Sequence, residues 1–267
     1  MEWQITASPP LTPHTPHPKN GTVILISADA EWRCIHKLFP EAKFQISPFG
    51  EWFESGLNEP AYKENALSAA MRNPAVFFHG GWGKISAAAS TQYVIDFWQP
   101  SLLVNLGTCG GFEDVIQRGT ILLVEKTIVY DIIEQMGDFD AHLAHYSTTI
   151  DLQWLKEPLP LPVKRSLLVS GDRDLLVEDI PYLREKFGAV AGDWESGAIA
   201  FVANRNQVRT LILRGVTDLV GSSGGEAYDN LDYFEANAYE VLVRLVKSLP
   251  DWLKKAQVYE RGNLGSP

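Results

Sequence analysis

Acidic residues and glycine clusters that directly follow short apolar runs are the first candidates for chemistry. Asp29 and Glu31 follow Val23–Ala28, and Asp218 follows Thr210–Val216. His79-Gly-Gly-Trp-Gly83 follows Ala75–Phe78, Gly107-Thr-Cys-Gly-Gly111 follows Leu102–Leu106, and Ser170-Gly-Asp172 follows Leu167–Val169. If the apolar runs are strands of an α/β sheet, these residues share one rim, because ligands bind at the carboxyl ends of such strands. A rim rich in carboxylates, with no excess of Lys or Arg, suits a substrate that develops positive charge. Cleavage of a glycosidic bond is such a reaction, since its transition state resembles an oxocarbenium ion and needs an acid for the leaving group and a base for water. Asp218 is the acid candidate, because partial burial after an apolar strand raises a carboxyl pKa toward neutrality. Glu31 is the base candidate. A helix cap or a surface ion pair would account equally well for either residue taken alone.

Glu195 opens a helical pattern, where the helix dipole favours a carboxylate whatever its function. Its two oxygens could also accept from two ribose hydroxyls. Gly107–Gly111 reads as a tight turn whose amides could cradle an anion or a hydroxyl, or as turn chemistry alone. Trp82 and Trp194 stand beside these candidates and are equally compatible with core packing.

The elements that must position these residues are legible as alternating patterns. Five apolar runs read as strands buried on both faces, with a sixth over Thr120–Val124 that extends toward Tyr130. Lys84–Trp98 reads as a helix with Ile85, Ala88, Ala89, Gln92 and Ile95 on its buried stripe, and Glu195–Arg205 as a second. Phe44–Ser55, with Gly50 at its middle, reads as a hairpin. Leu231, Phe234, Ala238, Val241, Leu242, Leu245 and Leu249 mark a closing helix. The alternation predicts a single-domain, three-layer α/β/α fold around a central mixed, mostly parallel sheet. Its expected span is 22–256, with disordered tails over 1–21 and 257–267. Gly137–Pro162 reads as an irregular loop or a flap.

The 267 residues, 45% hydrophobic, suffice for one such core. A formal charge of -10 disfavours nucleic acid and anionic membranes as partners. Two cysteines, Cys34 and Cys109, form no disulfide framework and fit a reducing, cytoplasmic setting. No apolar run is long enough to span a membrane.

Other motifs carry less. Gly221-Ser-Ser-Gly-Gly225 matches the G-x-S-x-G pattern, yet no histidine follows Ser223, and a flexible loop is the better reading. Gly81-Trp-Gly-Lys-Ile-Ser86 lacks the glycines of a dinucleotide fingerprint and the spacing of a P-loop, so no cofactor is implied. His142 and His145 with Asp138 and Asp140 read as a solvated loop rather than a metal site.

Five ordered segments together resemble the nucleoside phosphorylase superfamily, and within it the methylthioadenosine/adenosylhomocysteine nucleosidases. They are Ile26–Glu31, Gly81–Ala87, Val104–Phe112, Asp193–Ala200 and Leu213–Val220. The resemblance implies that Glu31 activates water, Glu195 holds the ribose hydroxyls and Asp218 protonates the purine at N7. Thr108, Cys109, Gly110, Trp82, Trp194, Asp174 and Leu175 complete the implied substrate-binding set for a small nucleoside. It also implies a homodimer. Phosphorylases with a similar motif carry an arginine where Asn105 stands, which favours water over phosphate as nucleophile. Arg173 could substitute for that cation, so a phosphorylase remains an alternative, as does a non-catalytic nucleoside-binding protein. Trp82, Trp194 and Asp174 depart from the family pattern and point to a reshaped pocket for the 5′ group.

Overall fold

The computed structural model describes residues 21–55 and 75–263, with only the helical backbone described for 257–263. The tail expected over 1–21 therefore lies outside the described residues up to position 20. In chain order the elements are β1 (Thr22–Ile26), α1 (Asp29–Leu38), β2 (Gln45–Ser47), β3 (Gly50–Ser55), β4 (Ala75–His79), α2 (Gly83–Trp98), β5 (Leu102–Phe112) and β6 (Ile121–Val129). Then come α3 (Phe139–His145), β7 (Ser147–Thr149), β8 (Lys164–Ser170), α4 (Ile180–Phe187), β9 (Ala191–Asp193), α5 (Ser196–Arg205), β10 (Thr210–Gly221), β11 (Gly224–Gly225) and α6 (Leu231–Asn263).

Strands β4, β1, β5 and β10 lie side by side and parallel, and the β2–β3 hairpin extends the sheet antiparallel at one edge. Strand β10 also pairs with β6, β6 with β8, β8 with β9, and β9 returns to β5. Five strands thus close into a small barrel beside the open part of the sheet. Strand β1 shows why its apolar run is continuous rather than alternating. Ile24 and Ile26 join the core under α1 and α6, with Ile35, Val241 and Leu245, while Val23 and Leu25 join the core under α2 and α5, with Val94 and Ile199. Burying each such side chain contributes about 1.5–3 kcal/mol.

Several expectations are corrected. Gly107–Gly111 is not a turn: β5 runs through it to Phe112, because β10 and then β9 take up its backbone hydrogen bonds. Asp218 likewise lies within β10 rather than beyond it. The buried face of α2 is Ala87, Ser90, Thr91, Val94, Ile95 and Trp98, so of the expected stripe Ile95 is buried, Ala88, Ala89 and Gln92 are half-buried and Ile85 is 85% exposed. Gly221–Gly225 is a hairpin joining β10 to β11, with exposed Ser223 at its turn. The supposed loop after Gly137 contains α3 and β7, and Asp138 caps α3 by accepting from the amides of Asp140 and Ala141. His142 pairs with Glu134 and Asp140 with Lys186. The closing helix continues to Asn263, past the boundary expected at 256. Residues 264–267 lie outside the described residues.

Candidate active site

Asp218 owes its position to a bulge. The parallel register between β10 and β5 shifts between Val216 and Asp218, which leaves Thr217 as the extra residue. Such an irregularity re-aims the following side chain. Thr217 Oγ1 donates to Asp218 Oδ1 at 2.7 Å, and the residue is 6% exposed. Burial pushes its pKa up, the Thr217 hydrogen bond pulls it partly back, and the nearby carboxylates Glu226 and Asp174 push it up again. Asp218 is thus an acid that keeps its proton to higher pH than an ordinary aspartate.

A second group forms where α1, β5, β10 and the start of α5 meet. Glu31, in the first turn of α1, accepts at Oε1 from the Thr108 amide (2.6 Å) and hydroxyl (2.9 Å). Its Oε2 accepts from the Ala28 amide at 3.3 Å. Arg214 of β10 is fully buried, and its Nη1 lies 3.8 Å from Glu31 Oε1. The same guanidinium donates from Nε to Ser196 Oγ (2.8 Å) and from Nη2 to Asn105 Oδ1 (2.9 Å), and Nη2 meets Asp193 Oδ2 at 2.9 Å. Nη2 also approaches Glu195 Oε2 at 3.9 Å. Nη1 has no hydrogen-bond partner within the protein.

Two glycines permit this approach. A Cβ at Gly107 would lie 1.7 Å from Arg214 Nη1 and 2.8 Å from Glu31 Oε1, so any side chain there would expel the guanidinium. Gly83 adopts φ +83°, left-handed backbone that suits glycine, and from there its amide donates to Glu195 Oε1 at 3.0 Å.

Glu195 stands at the N-cap of α5 yet makes no capping hydrogen bond, and Asp193 accepts from the Ser196 amide instead. Helix capping therefore does not explain Glu195. Burial raises its pKa, Arg214 opposes this, and Asp193 and Glu31 reinforce it, to a value of about 8. One cation thus serves three carboxyl groups. Burial works against the charge on Arg214 itself, and Asp193, Glu31 and Glu195 outweigh it. Arg173, the other candidate cation, is held by Asp179 and lies over the Tyr130 ring.

Glu31, Asp193, Glu195 and Asp218 line a cavity of about 650 Å³, within the range of small-molecule sites. A family model described as the phosphorylase superfamily matches residues 65–249. The chain belongs to the phosphorylase superfamily.

Among curated superfamily relatives, a 5′-methylthioadenosine/S-adenosylhomocysteine nucleosidase of Halalkalibacterium halodurans is 26% identical over 189 residues, 65% of this chain and 80% of its own. The nucleosidase of that name from Geobacillus sp. is 24% identical over 187 residues, 65% and 81% of the two chains. The fold is shared with solved superfamily structures. The Helicobacter pylori nucleosidase with butyl-thio-DADMe-Immucillin-A superposes with a TM-score of 0.67 at 14% identity, covering 87% of this chain and 99% of that one. The Arabidopsis thaliana 5′-methylthioadenosine nucleosidase in apo form also has a TM-score of 0.67, at 21% identity, covering 87% and 96%.

The catalytic and substrate-binding residues named from the sequence line the one cavity: Glu31, Trp82, Thr108, Cys109, Gly110, Asp174, Leu175, Trp194, Glu195 and Asp218, whereas Asp29 pairs with His79 outside it. Several stand differently from their expected places. Thr108 is spent on Glu31, and Asn105 is buried between the Leu25 carbonyl, to which it donates, and Arg214. The Cys109 thiol is pushed well above its ordinary pKa by burial. Sequence reasoning gave no role to Arg214, Asp193 or Tyr228. For Arg214 a signal existed: a lone cation inside a strand buried on both faces must be paired. For Tyr228, which lines the cavity and donates to the Leu175 carbonyl at 2.6 Å, none did.

Proposed function

We propose that the chain is a purine nucleosidase that uses water to cleave the N-glycosidic bond of a 5′-modified adenosine, the class named in its curated relatives. The observation that carries this reading is a buried acid, Asp218, sharing one cavity with Glu31 and Glu195, which Arg214 approaches from behind the wall. Asp218 donates its proton to purine N7, so the base departs neutral. Glu31 takes a proton from water: Oε2 has only the Ala28 amide, which leaves it acceptor capacity. Arg214, fully buried behind the cavity wall, balances the charge of that carboxylate, with Nη1 3.8 Å from Glu31 Oε1. Glu195 holds the ribose hydroxyls, and the surplus of carboxyl groups over cations favours the positive charge developing on the sugar.

The same surplus disfavours phosphate. Arg214 is matched by Asp193, Glu31 and Glu195, and Arg173 by Asp179, so an entering phosphate meets no spare cation among the described residues lining the cavity. Base release from 5′-methylthioadenosine is expected to run at full rate in phosphate-free buffer. Strict dependence on added phosphate would make the enzyme a phosphorylase instead.

The enzyme works as a homodimer in a reducing, cytoplasmic setting. Ile85, Ile133 and Met136 are exposed by 85%, 65% and 96%, and the Lys84–Asp131 ion pair draws their two segments together. Exposed apolar side chains of this kind suit a protein interface. Both cysteines are free and buried, and no helix among the described residues is long and apolar enough to cross a membrane. Sedimentation is expected to give twice the chain mass, with Ile85→Lys shifting it toward the monomer. A wild-type monomer at micromolar concentration would contradict the dimer.

A further inference from the structure

The cavity has two chemically distinct ends and a mouth. At one end Gly110 and Leu175 pack beside Asp218: a Cβ on Gly110 would lie 3.3 Å from Leu175 Cδ1 and 3.8 Å from Asp218 Oδ2. The other end is formed by Glu31 and Glu195. With the base at Asp218 and the 2′ and 3′ hydroxyls on Glu195, only the 5′ carbon of the sugar remains to point outward.

Two indoles flank that exit. Trp194 immediately precedes Glu195, and Trp82 immediately precedes Gly83, whose amide holds Glu195. Their ring centroids are 5.6 Å apart with planes inclined at 56°, and both side chains line the cavity. Trp82 is 58% exposed, so it contributes little to the protein's own core. An indole held at a cavity wall without being buried offers a flat apolar face to whatever enters. The charges say what that face does not accept. Among the described residues Arg173 is the one cation lining the cavity, and Asp179 holds it, while Asp174 and Asp229 line the same space. An amino-acid group is a zwitterion: its ammonium could pair with Asp174 or Asp229, but its carboxylate would meet no free cation, and beside the indoles it would be desolvated without a partner.

We propose that Trp82 and Trp194 form an aromatic wall that selects neutral apolar 5′ substituents, flat ones above all, and disfavours a 5′ homocysteinyl group. The wall is a specificity device acting on the nucleosidase reading given above, and it deepens that reading.

The test compares kcat/KM for 5′-phenylthioadenosine, S-adenosylhomocysteine and unsubstituted adenosine in wild type, Trp82→Ala and Trp82→Phe. Wild type is expected to prefer the phenylthio compound over the homocysteinyl one by about thirtyfold, within the range an apolar pocket can deliver. Trp82→Ala should shrink that preference about tenfold, and Trp82→Phe, which keeps a ring, should restore most of it. Equal use of the two 5′ groups by wild type, or an unchanged preference in Trp82→Ala, would overturn the wall while leaving the nucleosidase standing. No base release from any of the three would overturn the nucleosidase reading and the wall with it.

Discussion

Replacing Asp218 with Asn is expected to lower kcat for base release about 10³-fold, the size of a general-acid contribution, with little change in KM. The amide preserves the shape of the side chain and can still accept from the Thr217 hydroxyl, 2.7 Å away in the parent. What it lacks is the transferable proton. The pH dependence makes the expectation sharper. Because burial raises the Asp218 pKa, the folded protein keeps this proton above the range in which an unfolded aspartate loses it. The folded state binds more protons in that window, so stability falls as pH rises through it, and the variant escapes that fall. Catalysis in the parent should decline on the alkaline side of the same raised pKa, and the variant's residual rate should lose that limb. Stopped-time assays of free adenine against pH would check both. Undiminished base release from the variant would remove Asp218 from the mechanism, and tight nucleoside binding without turnover in the parent would mark a binding protein.

The largest stability effect is expected at Arg214. Arg214→Met removes the one cation serving Asp193, Glu31 and Glu195, all buried. Stripping a partner from a buried ion pair costs about 3–5 kcal/mol, because the charges left behind are neither solvated nor paired. For a domain of this size, roughly 2–4 °C of Tm per kcal/mol translates this into a fall on the order of 10 °C. The fall should be smaller at pH 5 than at pH 8. At pH 5 Glu195 carries a proton, since its pKa is already about 8 with Arg214 in place, and its repulsion with the neighbouring carboxylates is relieved. Calorimetry at the two pH values measures this directly. An unchanged Tm at pH 8 would mean the guanidinium is not what holds these groups together.

The sequence made the layered fold and the site's rim readable because both rest on local patterns. Continuous apolar runs mark strands buried on two faces, and carboxylates at their ends stand out against them. What stayed hidden depends on which strands become neighbours. Gly107–Gly111 looks like a turn in isolation, and only pairing with β10 and β9 turns it into strand. Closure of the barrel through β9 rests on a three-residue strand with no periodicity to detect. The stripe of α2 was misplaced because alanine occupies both its buried and its half-buried faces, which blunts the helical pattern. At the site, residue types revealed Glu31, Glu195 and Asp218. Thr108 changed from a ligand cradle to the holder of Glu31, since that depends on α1 crossing β5. Asn105 stands where similar phosphorylases carry a phosphate-binding arginine, and in the fold it is a buried link between Leu25 and Arg214. The preference for water therefore rests on the balance of charge around Arg214 more than on one missing side chain.

The most direct test of the nucleosidase assignment is the fate of oxygen in the reaction. Purified protein would be incubated with a 5′-alkylthioadenosine in H₂¹⁸O containing phosphate, and the products would be analysed by mass spectrometry. Hydrolysis predicts free adenine and a sugar carrying one ¹⁸O at its anomeric carbon. A sugar 1-phosphate without the label, or intact nucleoside, would contradict it.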